Sequence, residues 1–161
     1  MECGLLLSLF FAFFVAHSAF FIIDSHLWAV LRIHKWPKAK YISYIRMIAN
    51  DVNKSKHIRG AAIFGSFSKR NFNEFSDLDL ALVPKEGAKN FIMTYFLGVR
   101  LKSKALFTGF PLDLSIITNL EYKLKSTDKM PIILYEHSNY VSDMFPHAIL
   151  LTEFITQVYN S

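Results

Sequence analysis

The distribution of apolar and polar positions changes twice along the chain. Residues 4–23, GLLLSLFFAFFVAHSAFFII, carry no charge and contain six Phe, so a helix drawn through them has no polar face. About 20 such residues cross a hydrocarbon core of ~30 Å, whereas a small domain could hardly cover apolar side chains on every face. The reading is a membrane span. Arg32, Lys35, Lys38 and Lys40 follow it with no acidic residue after Asp24, which places the C-terminal side, and the domain it carries, in the cytoplasm. Three alternatives stay open: a cleavable signal peptide, against which Glu2 stands where a basic region belongs; a packed segment; and an upstream stretch that is not translated, with synthesis starting at a later codon such as that of Met47. Residues 24–36 form a basic, partly amphipathic connector, and Pro37 marks its end.

Beyond Pro37 the spacing becomes that of an α/β chain. Ile42, Ile45, Ile48, Ala49 and Val52 recur at helical intervals, with Lys40, Arg46, Asn50 and Asn53 elsewhere, predicting a helix over 38–53 with one apolar face. Residues 58–64, IRGAAIF, are short and apolar and run into Gly65-Ser66, the mark of a buried strand ending in a tight turn. Residues 76–83, SDLDLALV, alternate with period two and predict a strand with one polar and one apolar side. A helix over 89–105 follows, with Phe91, Ile92, Tyr95, Phe96 and Val99 on its apolar side and Arg100, Lys102 and Lys104 in its last turns, where cations complement the helix dipole. Residues 110–118 predict a third strand, 119–129 a short charged helix or turn, and 144–159 a helix; 130–141 fits helix or strand equally.

Composition narrows the function classes. The 161 residues include 18 Lys and Arg against 13 Asp and Glu, a net charge of +5, with 52% hydrophobic positions, which describes one modest domain plus an appendage and excludes disorder over the whole chain. Beyond residue 40 the excess falls to +3, with 14 basic residues against 11 acidic. That is too mild to demand a polyanion, so there is no strong nucleic-acid signal, and the 16% aromatic content is assigned to core packing. A single Cys excludes an internal disulfide, and six scattered His without a paired spacing give no histidine metal site. Any metal falls to carboxylates.

The chemistry concentrates in residues 65–80, GSFSKRNFNEFSDLDL. A strand ends in a Gly-Ser turn whose amides can approach an anion, Lys69 and Arg70 follow, and two carboxylates stand on the next strand. Asp77 and Asp79 are one residue apart, so on a strand they leave the same face about 6–7 Å apart. Asp113, in Leu112-Asp113-Leu114, has an equivalent setting on the third strand. Three acids on adjacent strands offer the hard oxygen donors that Mg²⁺ prefers, and with a triphosphate near Gly65-Ser66 they can bind two Mg²⁺ ions for nucleotidyl transfer.

Gly65-Ser66, the twelve-residue step from Gly65 to Asp77, the run 76–80 SDLDL, Leu112-Asp113-Leu114 and the late 132–136 IILYE together resemble the polymerase-β-type nucleotidyltransferase superfamily, in its minimal nucleotidyltransferase branch. The similarity covers roughly residues 40–140. It implies an α/β (α+β) nucleotidyltransferase fold: a short mixed β-sheet with helices packed on one face over residues 37–141 and the acidic cluster open on the other side; the hydrophobic leader and connector at 1–36 and the helical tail at 142–161 lie outside the resemblance and are read from the residue pattern. It also implies Asp77 and Asp79 as metal ligands, Asp113 completing the metal site and helping to deprotonate an acceptor hydroxyl, and Gly65 and Ser66 binding nucleotide phosphates. Lys69 and Arg70 stand where the family commonly has Arg-Gly; they are expected near the triphosphate, and the missing glycine changes the loop.

The expected activity is Mg²⁺-dependent transfer of a nucleoside monophosphate, most simply AMP from ATP, to a hydroxyl. The resemblance points to an acceptor on a helical partner protein or to a homodimer-formed site. Two contrasting readings are a non-catalytic antitoxin-like or membrane-tethered interaction module that retains the fold, and a small-molecule transferase of the aminoglycoside type.

Overall fold

The computed structural model describes residues 35–68, 73–120 and 130–159, together with Gly4, Ser8, Ala12, Val15 and Ala16. The chain divides into two compact units, Met1–Ile33 and His34–Ser161. In the first, the five described residues are helical and the Ser8 hydroxyl donates to the Gly4 carbonyl at 2.8 Å. No helix among the described residues is long and apolar enough to cross a membrane; the rest of the 4–23 span and the connector to residue 34 lie outside the described residues.

In the second unit, α1 (Lys38–Asn53) leads into β1 (Ile58–Phe64), the four-residue α2 (Gly65–Ser68), β2 (Leu78–Pro84), α3 (Ala88–Thr108), β3 (Leu112–Ile116), β4 (Ile132–Glu136), the short α4 (Tyr140–Met144), β5 (Ile149–Leu150) and α5 (Leu151–Tyr159). The strands form one mixed sheet in the order β3-β2-β1-β4-β5. β1 is antiparallel to both β2 and β4, while β2–β3 and β4–β5 are parallel; the β2–β3 step needs a crossover, and α3 supplies it. The ambiguous 130–141 resolves into strand then helix. The tail of the chain first adds β5 to the sheet and then turns helical, with Phe154 fully buried in the main core.

Strand alternation sorts the sheet's two faces. Leu78, Leu80 and Leu82 point into a core shared with Ile45, Ile48 and Val52 of α1 and Leu101 and Ala105 of α3. Ala62, Phe64, Ala81 and Val83 point to the second face, where Tyr140, Val141 and Phe145 pack around α4. β1 is central and buried on both faces except at Arg59, which explains its unbroken apolar run. α3 can lie close to β3 because a Cβ on Gly98 would stand 3.1 Å from Ile116 and 3.2 Å from Leu114.

Two expectations need correction. β2 begins at Leu78, so Asp77 precedes the strand and the alternation that would pair its face with that of Asp79 does not start early enough. On α3 the buried positions are Thr94, Gly98, Leu101, Lys102 and Ala105, whereas Phe91, Ile92 and Phe96, read as the packed side, are exposed.

Candidate functional site

The site lies at the sheet end where β1 finishes and β2 and β3 begin. Phe64, the last residue of β1, pairs with Asp79, and Asp79 pairs with Asp113 across the parallel β2–β3 ladder. Asp79 shares the second face with Ala81 and Val83 by alternation, and its in-register partner Asp113 stands on that face too. Asp79 is half-buried; Asp77 and Asp113 are exposed. Beside them Phe64 meets Phe145 edge to face at 5.6 Å, giving the carboxylates an apolar neighbour.

Gly65 turns the chain out of β1 with φ +74°, a conformation glycine adopts without penalty. A Cβ here would fall 1.7 Å from Asp79 Oδ2 and 2.9 Å from its Cγ. The Asp79 carboxylate thus rests on bare backbone in the volume any side chain would fill. Ser68 closes the turn by donating from Oγ to the Gly65 carbonyl at 2.8 Å, and Phe67, fully buried, packs on Tyr41 at 5.1 Å. Ser66 Oγ is buried and has no hydrogen-bond partner, which costs about 1–3 kcal/mol. An unmet hydroxyl next to a turn of this shape is fitted to an incoming acceptor such as a phosphate oxygen.

Two residues that the sequence reading left unassigned hold the acid-bearing loops. The Tyr41 hydroxyl donates to the Ser76 carbonyl, immediately before Asp77. Burial, and then the charge of Asp77, raises its pKa well above the ordinary tyrosine value, so it remains a donor through neutral pH. Trp36 donates its backbone N–H to the Glu74 carbonyl at 2.9 Å and its indole N–H to the Gly109 carbonyl at 3.0 Å. Its ring meets Phe110 at 5.0 Å. The loop is further tied by Asn73 and Ser76 to each other and by Leu78 N–H donating to the Pro111 carbonyl at 2.8 Å. Tyr41 lies four residues before Ile45 and seven before Ile48, a spacing that marks it as part of the apolar face of α1.

Of the predicted site residues, the structure brings Gly65, Ser66, Asp79 and Asp113 to one end of the sheet, with Asp77 just ahead of β2. Among the described residues no three His, Cys, Asp or Glu side chains group closely enough to hold a metal ion by themselves. The Asp79–Asp113 pair nevertheless offers hard oxygen donors, a set that suits Mg²⁺ when waters and substrate phosphates complete the octahedron. Lys69 and Arg70 lie outside the described residues, as does most of the 119–129 segment.

The family model described as "Polymerase beta, Nucleotidyltransferase" matches residues 46–139, a range containing all five of these positions. Among solved structures, one described as "Crystal structure of the toxin-antitoxin with AMP-PNP" is similar at 15% identity and a TM-score of 0.42, covering 74% of this chain and 87% of that one. No curated protein matches the chain.

Proposed function

The chain belongs to the polymerase β nucleotidyltransferase family, and from that premise we propose that it transfers a nucleoside monophosphate, most simply AMP from ATP, to a hydroxyl group on a partner protein. The observation that carries the reading is the in-register Asp79–Asp113 pair set beside the Gly65-Ser66 turn. Two carboxylates opposed on neighbouring strands repel unless a cation lies between them, and the turn beside them presents an unsatisfied hydroxyl. Asp77, Asp79 and Asp113 would hold Mg²⁺, two ions in the fullest form of the site. When bound, the metal lowers the acceptor hydroxyl's pKa and offsets charge on the leaving pyrophosphate.

The protein's own groups divide the remaining work. Ser66 donates its free hydroxyl to the triphosphate, and the glycine at 65 leaves the room that the Asp79 carboxylate takes beside the turn. Asp113, on the edge strand and exposed, takes the proton from the acceptor hydroxyl. The same exposure leaves the acceptor side open to a side chain presented by another protein. Lys69 and Arg70 complete the phosphate contacts in this reading.

The test is incubation of the full-length chain with Mg²⁺ and α-labelled ATP in a cell extract, beside Asp79→Asn and Asp113→Asn. Label appearing on a protein with the wild type and with neither variant supports the proposal; label on a small molecule moves the acceptor to the aminoglycoside-type reading. Equal labelling by all three refutes the role of the acid pair. A second reading, a nucleotide-binding interaction module without turnover, is favoured by the failure of the three carboxylates to converge among the described residues. It predicts thermal stabilisation by Mg²⁺-ATP with no transfer.

A further inference from the structure

Helix α3 presents apolar side chains to solvent as well as to the sheet. Its buried positions, Thr94, Gly98, Leu101, Lys102 and Ala105, define one direction. At about 100° per residue the opposite direction is taken by Ile92, Phe96 and Phe107. These are 51%, 60% and 88% exposed. The same helix carries Lys89, Arg100, Lys102 and Lys104 and no acidic residue from Ala88 to Thr108. Asp51 of α1 reaches Lys104 at 2.7 Å and Arg100 at 3.4 Å, yet the Arg100 side chain stays 62% exposed; Lys89 is exposed as well.

We propose that this outer face of α3 docks on an anionic lipid surface, with Phe96 and Phe107 entering the headgroup–acyl boundary and Lys89 and Arg100 meeting lipid phosphates. A helix face that combines aromatic and basic side chains without acids has the composition of an interfacial helix. Each basic group near an anionic leaflet adds to binding. A second copy docked by this face across a two-fold axis would gather the Lys89 and Arg100 charges of both copies with no acidic residue of α3 to offset them, which like-charge repulsion opposes. The uncharged run at 4–23, read from sequence as a span, would keep a leaflet within reach of the domain.

The test uses the full-length chain carrying Cys3→Ser and Phe107→Cys, labelled at 107 with an environment-sensitive dye and reconstituted in vesicles. One set is phosphatidylcholine alone and the other about three parts phosphatidylcholine to one of phosphatidylserine. The expected result is a blue shift and shielding from an aqueous quencher on the anionic vesicles only, with Lys89→Ser weakening the effect about fivefold. Both substituted side chains on α3 are exposed, so the fold is kept, and circular dichroism checks it. A dye that stays in water although the protein sediments with the vesicles overturns the proposal, because the N-terminal run alone then binds. An equal shift on neutral vesicles overturns it, as does a shift that grows with protein concentration in the absence of lipid, which would identify a second copy as the occupant.

Discussion

Replacing Gly65 by alanine tests the geometry on which the site rests. The new Cβ would start 1.7 Å from Asp79 Oδ2, where real Cβ contacts begin near 3.0 Å, so the carboxylate must retreat by about 1.3 Å or the turn must open. Holding a non-glycine residue at φ +74° adds roughly 1–2 kcal/mol. Displacing a reacting or ligating group by about 1 Å can cost ~100-fold in rate. Gly65→Ala is therefore expected to lower stability by about 2 kcal/mol or more and to remove at least ~99% of any transfer activity. A double-mutant cycle in urea separates the two contributions. In Asp79→Ala the obstructing carboxylate is gone, so the added cost of Gly65→Ala should shrink to the backbone part, a coupling of about 1 kcal/mol. If the two substitutions add within about 0.5 kcal/mol, Asp79 does not rest on the turn, and the reasoning is refuted.

Three further outcomes follow from the same geometry. Ser66→Ala removes a buried hydroxyl that has no partner, so urea stability should hold or rise slightly, while stabilisation by Mg²⁺-ATP in a thermal melt should fall; a loss above about 1 kcal/mol without nucleotide would contradict the unmet donor. Tyr41→Phe leaves the Ser76 carbonyl without its donor and should cost about 1–3 kcal/mol in urea unfolding, with a weaker response to Mg²⁺-ATP; wild-type behaviour in both would show that Tyr41 does not position the Asp77 loop. Burial, opposed in part by the Thr108 hydroxyl and aided by the charge of Asp51, pushes the Tyr44 hydroxyl up to about 12 from 10.0. The folded state then holds a proton that the unfolded chain has lost, so stability is intact below pH 10 and declines between 10 and 12. Tyr44→Phe should make that decline shallower in urea melts taken across the range, leaving the part that the raised Tyr41 hydroxyl contributes.

The elements with a clear period were legible in sequence. α1 carries an apolar stripe and emerges with the predicted bounds, and β1 is an unbroken apolar run because both sheet faces cover it. The strand calling for alternation was read two residues early: Ser76 and Asp77 continue the pattern, but their backbone groups serve the loop, with Ser76 N–H on the Asn73 carbonyl and the Ser76 carbonyl on Tyr41. Asp79 and Asp113 could be nominated by their apolar flanks, whereas their direct opposition depends on a β2–β3 register that only the folded sheet supplies. Trp36 and Tyr41 act on loops more than 30 residues away, a distance at which local pattern carries no information. On α3 the apolar residues mark two sides, and periodicity cannot tell which one the sheet takes; small residues decide, since Gly98 and Ala105 allow the close approach.

The structure also bears on where a functional chain can begin. Synthesis starting at Met47 would remove the first nine residues of α1, including Tyr41, Ile42, Tyr44 and Ile45, which are 0%, 2%, 7% and 0% exposed. At about 1.5–3 kcal/mol for each large buried side chain, their loss amounts to roughly 6–12 kcal/mol, an upper estimate that still rivals the 5–15 kcal/mol typical of a whole domain. The hydroxyl that holds the Ser76 carbonyl would go with them, along with the indole that joins Trp36 to Gly109. A 47–161 chain is expected to be unfolded or aggregated, while a 34–161 chain, which retains the complete second unit, should show a cooperative urea transition and near-ultraviolet aromatic signals. A cooperative transition in the 47–161 chain with stability near that of 34–161 would mean that the first half of α1 does not close this core. The sheet would then have to bury its Leu78–Leu82 face without the α1 residues that now cover it.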